Sequence, residues 1–233
     1  IDLHCDTLLG LVHGENINLK SNHLCVDLEK MKHADSMAQF FACFINMRRI
    51  QGEDRWNRGY EYAMNMISRA KEEFAKYPDE IVLARNYEEL LHNENNGKMS
   101  AFLTVEEGGI IDGKMENLEA LYREGIRLIT LTWNEENCLA FPNSNDAAIM
   151  NSGLKPFGIE VVERMNDLGM IVDVSHLSDG GFWDVMKYSK KPVVASHSNA
   201  RALCGHRRNL TDEMIHALAE NGGVAGINFY PVF

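Results

Sequence analysis

Short apolar runs alternate along the chain with stretches whose apolar residues recur at helical spacing. Runs bounded by polar or glycine-rich segments predict strands, and the helical spacing predicts amphipathic helices. The seven predicted strands are Ile1–Asp6, Ala38–Asn46, Ser100–Val105, Arg127–Trp133, Met170–Val174, Pro192–Ser196 and Val224–Phe229. The predicted helices are Trp56–Tyr77, Met115–Glu124, Phe157–Leu168, which Gly169 ends, and Asp212–Glu220, which Thr211 caps.

This alternation predicts the fold class. Apolar strands between amphipathic helices indicate parallel βαβ units. Seven strands favour a (β/α)8 TIM-type barrel with one strand unaccounted for, in a single domain over residues 1–233. A doubly wound sheet is the alternative, but it normally carries a glycine-rich phosphate loop after its first strand, which this sequence lacks.

Composition and charge argue against several classes of binding partner and bear on the location of the protein. The net charge of −11 argues against nucleic acid or an anionic membrane as the main partner. The five cysteines are scattered without a C-x-x-C pair, which favours reduced thiols and a cytoplasmic location. No apolar run approaches the roughly 20 residues that span a bilayer. Because the chain opens at Ile1 without a methionine, secretion stays open.

Metal-ligating side chains stand at several predicted strand ends, where a barrel places its functional groups. His4 and Asp6 lie two residues apart and therefore on one face of the first strand, although a polar strand end could also show this pattern. Glu106 and Glu107 follow the third predicted strand, where a carboxylate could bridge two cations or simply form a solvated acidic turn.

Two histidines end consecutive predicted strands. His176 follows the fifth strand and His197 follows the sixth, so both could bind one metal, or each could be a buried core histidine. Asp173 precedes the same barrel mouth. Arg207 and Arg208 form a cationic loop that could hold a substrate carboxylate or a surface salt bridge. A polar loop over residues 137–152 is expected above this face.

Taken together, these residues resemble the membrane (renal) dipeptidase family of two-zinc peptidases. The resemblance covers nearly the whole chain. It is densest in the segments DLHCDT (2–7), VEEGG (105–109), LITLTW (128–133), NDLGMIVDVSHLSD (166–179), PVVASHSNAR (192–201), RRN (207–209) and ENGGVAGINF (220–229).

The resemblance implies a site and a mechanism. His4 and Asp6 would bind the first zinc, His176 and His197 the second, and Glu107 would be the catalytic carboxylate that bridges both. A hydroxide held between the metals would cleave dipeptides. Arg208 would bind the substrate's terminal carboxylate, with Asn209 beside it. It also implies small peptide substrates and, as in many relatives, a homodimer.

Two departures from the family pattern matter. Trp133 stands where the family usually has a histidine, so an indole N–H that cannot titrate faces the substrate. The family's catalytic aspartate follows an eighth strand, whereas this chain ends at Phe233 after the seventh predicted strand. We therefore expect the sequence to be part of a longer chain, with an incomplete barrel.

Two other functions stay open at this point. Another metal-dependent amidohydrolase would normally show H-x-H on its first strand, and H-x-D argues against it. A catalytically silent metal-binding barrel is compatible with Trp133 and the missing aspartate. The ligand types also suit manganese or iron.

Overall fold

The computed structural model describes residues 1–14 and 17–233. Its strands are β1 (Asp2–Cys5), β2 (Ala38–Phe44), β3 (Ile81–Leu83), β4 (Met99–Glu106), β5 (Ile126–Thr130), β6 (Ile171–Asp173), β7 (Val194–Ala195) and β8 (Val224–Ala225). Its helices are α1 (Thr7–His13), α2 (Leu28–His33), α3 (Arg55–Phe74), α4 (Tyr87–Asn95), α5 (Met115–Arg123), α6 (Ala147–Met150), α7 (Pro156–Leu168), α8 (Asp179–Tyr188) and α9 (Asp212–Glu220). Two 3-10 turns lie at Met47–Arg49 and Gly108–Ile111.

All strand pairs between these elements are parallel, and the sheet is wound in one direction. The order is β1-β2-β4-β5-β6-β7-β8, with β3 paired to the start of β4. A doubly wound sheet reverses its strand order at a switch point, so this order excludes that alternative. The predicted barrel class is confirmed as a curled, half-barrel sheet. Within the described residues, β1 and β8 are the two ends of the hydrogen-bonded path.

Two apolar clusters show which face of each strand is inside. Phe40, Phe102 and Leu128 belong to a small cluster within the curl of the sheet. Phe41, Leu103 and other side chains of the opposite strand faces belong to the large cluster between sheet and helices. Because side chains alternate along a strand, residues two or four positions from Phe102 face the inside of the curl.

The curvature of the sheet brings the carboxyl ends of β1 and β7 close together. The imidazole of His4, at the end of β1, has its centroid 4.0 Å from that of His197, after β7. The inside of the curl is therefore narrow at this end. Functional side chains from distant parts of the chain meet there.

The predicted elements agree with the observed ones to within a few residues at most ends. Each predicted strand overlaps an observed strand, and Gly169 ends α7 with a left-handed φ of 71°. Thr211 caps α9 by accepting a hydrogen bond from the Met214 amide. Several elements were not predicted, among them β3, α1, α2, α4 and α8. The predicted loop over 137–152 contains the short helix α6.

Candidate metal centre

Four side chains from the carboxyl ends of different strands converge at the mouth of the curled sheet. The Glu106 carboxylate lies 3.0 Å from His176 Nε2, 3.6 Å from His197 Nε2 and 3.5 Å from His4 Nε2. The Nε2 atoms of His176 and His197 lie 2.9 Å apart. Candidate ligand atoms of His4, Glu106 and His197 all lie within 4.8 Å of one another. Four ligand atoms thus surround one small volume.

Asp6 lies at the edge of this group. Its Oδ1 is 3.4 Å from His4 Nε2, and its side chain is 56% exposed. The carboxylate therefore sits beside His4 on the solvent side of the mouth. The structure brings four of the five predicted metal ligands together, namely His4, Asp6, His176 and His197.

The fifth predicted ligand, Glu107, does not face this group. Glu107 is fully buried and accepts hydrogen bonds from the Gly109 amide (3.0 Å), the Trp133 amide (3.2 Å) and Asn137 Nδ2 (2.6 Å). The structure therefore places Glu106 beside the histidines, where Glu107 was expected, and metal bridging by either carboxylate stays a prediction. Glu106 shares the inward face of β4 with Phe102, four positions earlier, whereas Glu107 follows it onto the other side.

The electrostatics of the group favour a bound cation. Burial raises the pKa of Glu106 to about 8, although the charges of His4 and Arg208 oppose this shift. Burial lowers the pKa values of His176 and His197 well below the ordinary histidine value. Burial alone would lower the pKa of His4 too, but the carboxylates of Glu106 and Asp6 raise it to about 9.

These pKa shifts describe a buried carboxylate beside two neutral imidazoles with converging Nε2 atoms. A divalent cation would favour the charged form of Glu106 and would bind the imidazole lone pairs. Histidine and carboxylate are ordinary ligands of zinc and similar metals. The residues present therefore fit the metal that the ligand types imply.

Hydrogen bonds at Nδ1 orient both histidines. His197 Nδ1 lies 2.7 Å from Ser196 Oγ, which donates its hydrogen to Asp173 Oδ2 at 2.6 Å. Because the serine hydrogen is used there, Ser196 accepts the Nδ1 hydrogen of His197, and Nε2 keeps its lone pair. His176 Nδ1 lies 3.3 Å from Asn134 Oδ1. Such partners fix the ring orientation of metal-binding histidines.

Asp173 connects three strand ends from a fully buried position. Its carboxylate also accepts hydrogen bonds from Thr130 Oγ1 (2.6 Å) and from the amides of Ser175 (3.0 Å) and Ser196 (2.8 Å). Sequence reasoning placed Asp173 near the mouth but did not identify these contacts. The backbone of His176 has a left-handed φ of 68°, a conformation that is uncommon outside glycine and that often occurs at functional sites.

Arg208 contacts the backbone of His197. Its side chain is buried and donates to the His197 carbonyl (3.1 Å) and to Ser198 Oγ (3.4 Å). Nε of Arg208 has no hydrogen-bond partner among the residues the structure describes. Burial lowers the pKa of this guanidinium to about 10, against the attraction of Glu106 and Asp173. This Nε–H could therefore donate a hydrogen bond to a further acceptor.

Asn209 is buried beside Arg208 and bonds within its own loop. Its Nδ2 donates to the Cys204 carbonyl at 2.9 Å, and its Oδ1 accepts from the Asn199 amide at 3.3 Å. These contacts hold the loop that carries Arg208.

Trp133 is partly buried and lies near His176. Its ring centroid lies 4.8 Å from that of Phe44 and 6.4 Å from that of His176. The Arg48 guanidinium lies 5.5 Å from the indole centroid. The indole therefore forms an aromatic wall next to one of the histidines.

Known proteins resemble this chain over its length. The family model described as membrane dipeptidase (peptidase family M19) matches residues 1–233. An uncharacterized dipeptidase of Schizosaccharomyces pombe is 34% identical over 213 residues, which cover 89% of this chain and 51% of that protein. The chain spans about half the length of several curated relatives that it matches.

Two solved structures share the fold. A crystal structure of a dipeptidase, a metallopeptidase of family M19, is 26% identical with a TM-score of 0.86, covering 98% of this chain and 71% of that one. A metallopeptidase from Rhodobacter sphaeroides, crystallised with a phosphinate mimic of the dipeptide L-Ala-D-Ala, is 24% identical with a TM-score of 0.87, covering 99% and 73%. The second likeness shows the fold alone.

Proposed function

Because the chain belongs to the membrane dipeptidase family, we propose that it provides the metal centre of a metal-dependent dipeptidase. The observation that carries the proposal is the convergence of Glu106 with His4, His176 and His197 at the mouth of the sheet. Members of this family are metallopeptidases. The proposal adds that this protein itself cleaves dipeptides.

The ligand set supports two divalent metal ions, which we take to be zinc. His4 and Asp6 would hold one ion, His176 and His197 the other, and Glu106 would contact both. Five candidate side chains (His4, Asp6, Glu106, His176 and His197) are more than one tetrahedral site needs, which supports two ions rather than one. When bound, the metals would supply Lewis acidity, which lowers the pKa of water and polarises a substrate carbonyl.

The chain's own residues would bind and orient the dipeptide. Nε of Arg208 has no acceptor among the residues that the structure describes, and Arg208 contacts the His197 carbonyl; both features suit it to hold the substrate's terminal carboxylate. A guanidinium can bind a carboxylate with two parallel hydrogen bonds. Trp133 would pack against the substrate at the mouth, and its indole N–H could donate a hydrogen bond but could not move a proton. Asn209 would act by holding the Arg208 loop.

Hydrolysis of a dipeptide panel by the full-length, zinc-loaded protein tests the proposal. The panel would contain L-L and L-D dipeptides, assayed with and without a chelator. We expect cleavage that the chelator abolishes and that added zinc restores. A folded, metal-loaded protein that cleaves none of them would contradict the proposal; cleavage of a cyclic amide instead would indicate another amidohydrolase, and no turnover at all would indicate a silent barrel.

Two further expectations accompany this function. A homodimer is predicted, and light scattering of the purified protein would check it. A cytoplasmic location is predicted from cysteine usage, and each of the five cysteines, all within the described residues, is free. No helix in the described part of the chain has the length and apolar character needed to cross a membrane.

A further inference from the structure

A cavity of about 470 Å³ opens beside the metal centre. Its walls come from three loops that follow strands β2, β5 and β7. The residues used below are Arg48, Asn134, Glu136, Asn143, Asn145 and Arg207. The volume is in the range of small-molecule sites and exceeds that of a single amino-acid side chain.

The cavity shares its wall with the metal-binding histidine His176. Asn134 lines the cavity and contacts His176 Nδ1 through its side-chain oxygen. Asn143 lines it from another side, and its amide and Nδ2 donate to the His176 carbonyl at 2.8 and 3.0 Å. A group bound in this cavity would therefore be separated from His176 by a single layer of side chains.

Two guanidinium groups face this space. Arg207 is exposed, and its Nη1 donates only to the neutral Asn145 Oδ1, at 3.2 Å, among the contacts in the described part of the chain. Arg48 has its Nε 3.7 Å from a Glu135 carboxylate oxygen. That same glutamate is also paired with Arg55 at 3.1 Å, so it neutralises Arg48 only in part.

The carboxylates nearby do not cancel this positive charge. Glu136 lines the cavity, but Lys155 Nζ lies 2.7 Å from its carboxylate. Among the described residues in or next to the cavity wall, four cationic side chains (Arg48, Arg55, Lys155 and Arg207) thus stand against three carboxylates (Glu135, Glu136 and Asp146). In a protein with a net charge of −11, this local excess of positive charge is where an anion would be attracted.

We infer that this cavity binds an acidic side chain of the substrate, so that the enzyme prefers dipeptides containing aspartate or glutamate. The inference rests on the proposed dipeptidase function. It assigns to Arg48 and Arg207 a role separate from that of Arg208, which would bind the backbone carboxylate that every dipeptide has. Selectivity arises because only an acidic side chain brings a second negative charge to the mouth.

Matched carboxylate and amide substrates test the inference in the zinc-loaded protein. Ala-Glu and Ala-Gln differ in charge but hardly in shape, as do Glu-Ala and Gln-Ala. We expect kcat/KM to be at least about tenfold higher for the acidic member of one pair. Raising the salt from about 0.05 to 0.5 M should shrink that ratio, since salt screens exposed charges.

Substitutions locate the preference. In Arg207→Met and in Arg48→Met, the acidic-to-neutral ratio of kcat/KM should fall at least threefold, while Arg207→Lys should retain most of it. Arg123→Met is the control, because Arg123 lies on α5 and is exposed apart from a 4.0 Å pair with Glu119. Calorimetric binding of phosphinate mimics of Ala-Glu and Ala-Gln gives a readout independent of turnover and should show the same change in preference.

The outcomes separate this inference from the proposed function. If the chelator abolishes cleavage of Ala-Ala but acidic and amide substrates are cleaved equally well, the inferred preference for acidic side chains fails. The proposed dipeptidase function then stands. A preference that survives in both methionine variants, with metal content and melting temperature unchanged, would also overturn it. If no dipeptide is cleaved, the proposed function fails first, and the mimics' binding then decides whether the cavity selects acidic groups.

Discussion

The carboxylates of Glu106 and Glu107 point to opposite sides of β4, although the two residues are consecutive. Glu106 lies 3.0 Å from His176 Nε2 within the curl of the sheet. Glu107 accepts three hydrogen bonds from Gly109, Trp133 and Asn137 on the other side. One glutamate is therefore placed to bind metal, and its neighbour joins the end of β4 to the loop after β5.

Glutamine substitutions at these two positions should separate the two roles. Glu106→Gln removes the charge that both metals would share, so we predict loss of bound metal and a decrease in kcat of at least about 100-fold. Glu107→Gln should keep its full metal content, because its side chain bonds only to protein groups. The measurement is metal content by atomic emission, alongside dipeptide turnover.

The same pair provides its own control. Both variants replace a carboxyl group with an amide at adjacent buried positions, so a general effect on folding would affect them alike. Equal metal loss in both variants would contradict the assignment of Glu106 as the shared ligand. Normal metal content in Glu106→Gln would contradict it directly.

Strand alternation shows why the sequence could locate the site but not choose between these two glutamates. The pattern V-E-E-G-G identifies a strand end rich in carboxylate, and the family resemblance alone does not settle which carboxylate faces inward. Both faces of β4 are buried, so neighbouring residues give no polar-apolar contrast to set the register. Counting by two from Phe102, an inward residue, does select Glu106.

Other elements were missed for different physical reasons. Strand β3 has only three residues and pairs with the first three residues of β4, so its apolar run is too short to show a period. Helix α8 begins with two glycines after Asp179, and glycine weakens a helix on propensity alone. Ser178 offsets this by capping the Gly181 amide, and burial of Phe182 adds packing.

Asp173→Asn should weaken metal binding, because it disturbs the hydrogen bonds through Ser196 that orient His197. The substitution keeps the shape but replaces an acceptor of four hydrogen bonds with a group that must also donate. Because Asp173 is fully buried, we predict a loss of about 2–4 kcal/mol in the free energy of unfolding. Urea unfolding and zinc affinity measure the two effects. Asp167→Asn, on the exposed face of α7, is the control, and unchanged zinc affinity in Asp173→Asn would contradict this positioning role.

Removing metal should lower thermal stability. Without a cation, burial penalises the charged form of Glu106, and the converging Nε2 atoms of His176 and His197 have no metal to bind. A ligand that binds only the folded state at about a thousand times its Kd stabilises it by about 4 kcal/mol. We therefore expect the melting temperature to fall on chelation and to return on adding zinc, and calorimetry measures both. A melting temperature that neither chelation nor added zinc changes would contradict a metal centre at these residues.

Asp27 should make the stability of the α2 region depend on acid pH. Burial alone would raise the pKa of Asp27, but hydrogen bonds from the side chain and amide of Lys30 and from the Asn22 amide lower it below its ordinary value. A lowered folded-state pKa gives stability that is present above the unfolded pKa of about 3.9 and is lost as pH falls through the folded pKa.

Replacing Asp27 with asparagine would keep an N-cap acceptor but lose the charge. The variant Asp27→Asn should therefore be less stable than the parent at pH 7 by about 1 kcal/mol, and the difference should shrink towards about pH 3. Urea unfolding at both pH values measures it. A difference that grows on acidification would show that the sign of the pKa shift is wrong.

Trp133→Ala should impair substrate binding more than the chemical step. The indole packs on Phe44 and stands 6.4 Å from the His176 ring, so removing it opens the mouth without removing a metal ligand. Because indole cannot titrate, the pH dependence of kcat should stay unchanged, while KM for dipeptides should rise at least fivefold. Trp183→Ala is the control, since Trp183 lies 44% exposed on α8. Trp133→Phe should restore most of the affinity if the wall acts by packing, whereas a fall in kcat with constant KM would place Trp133 in the chemistry instead.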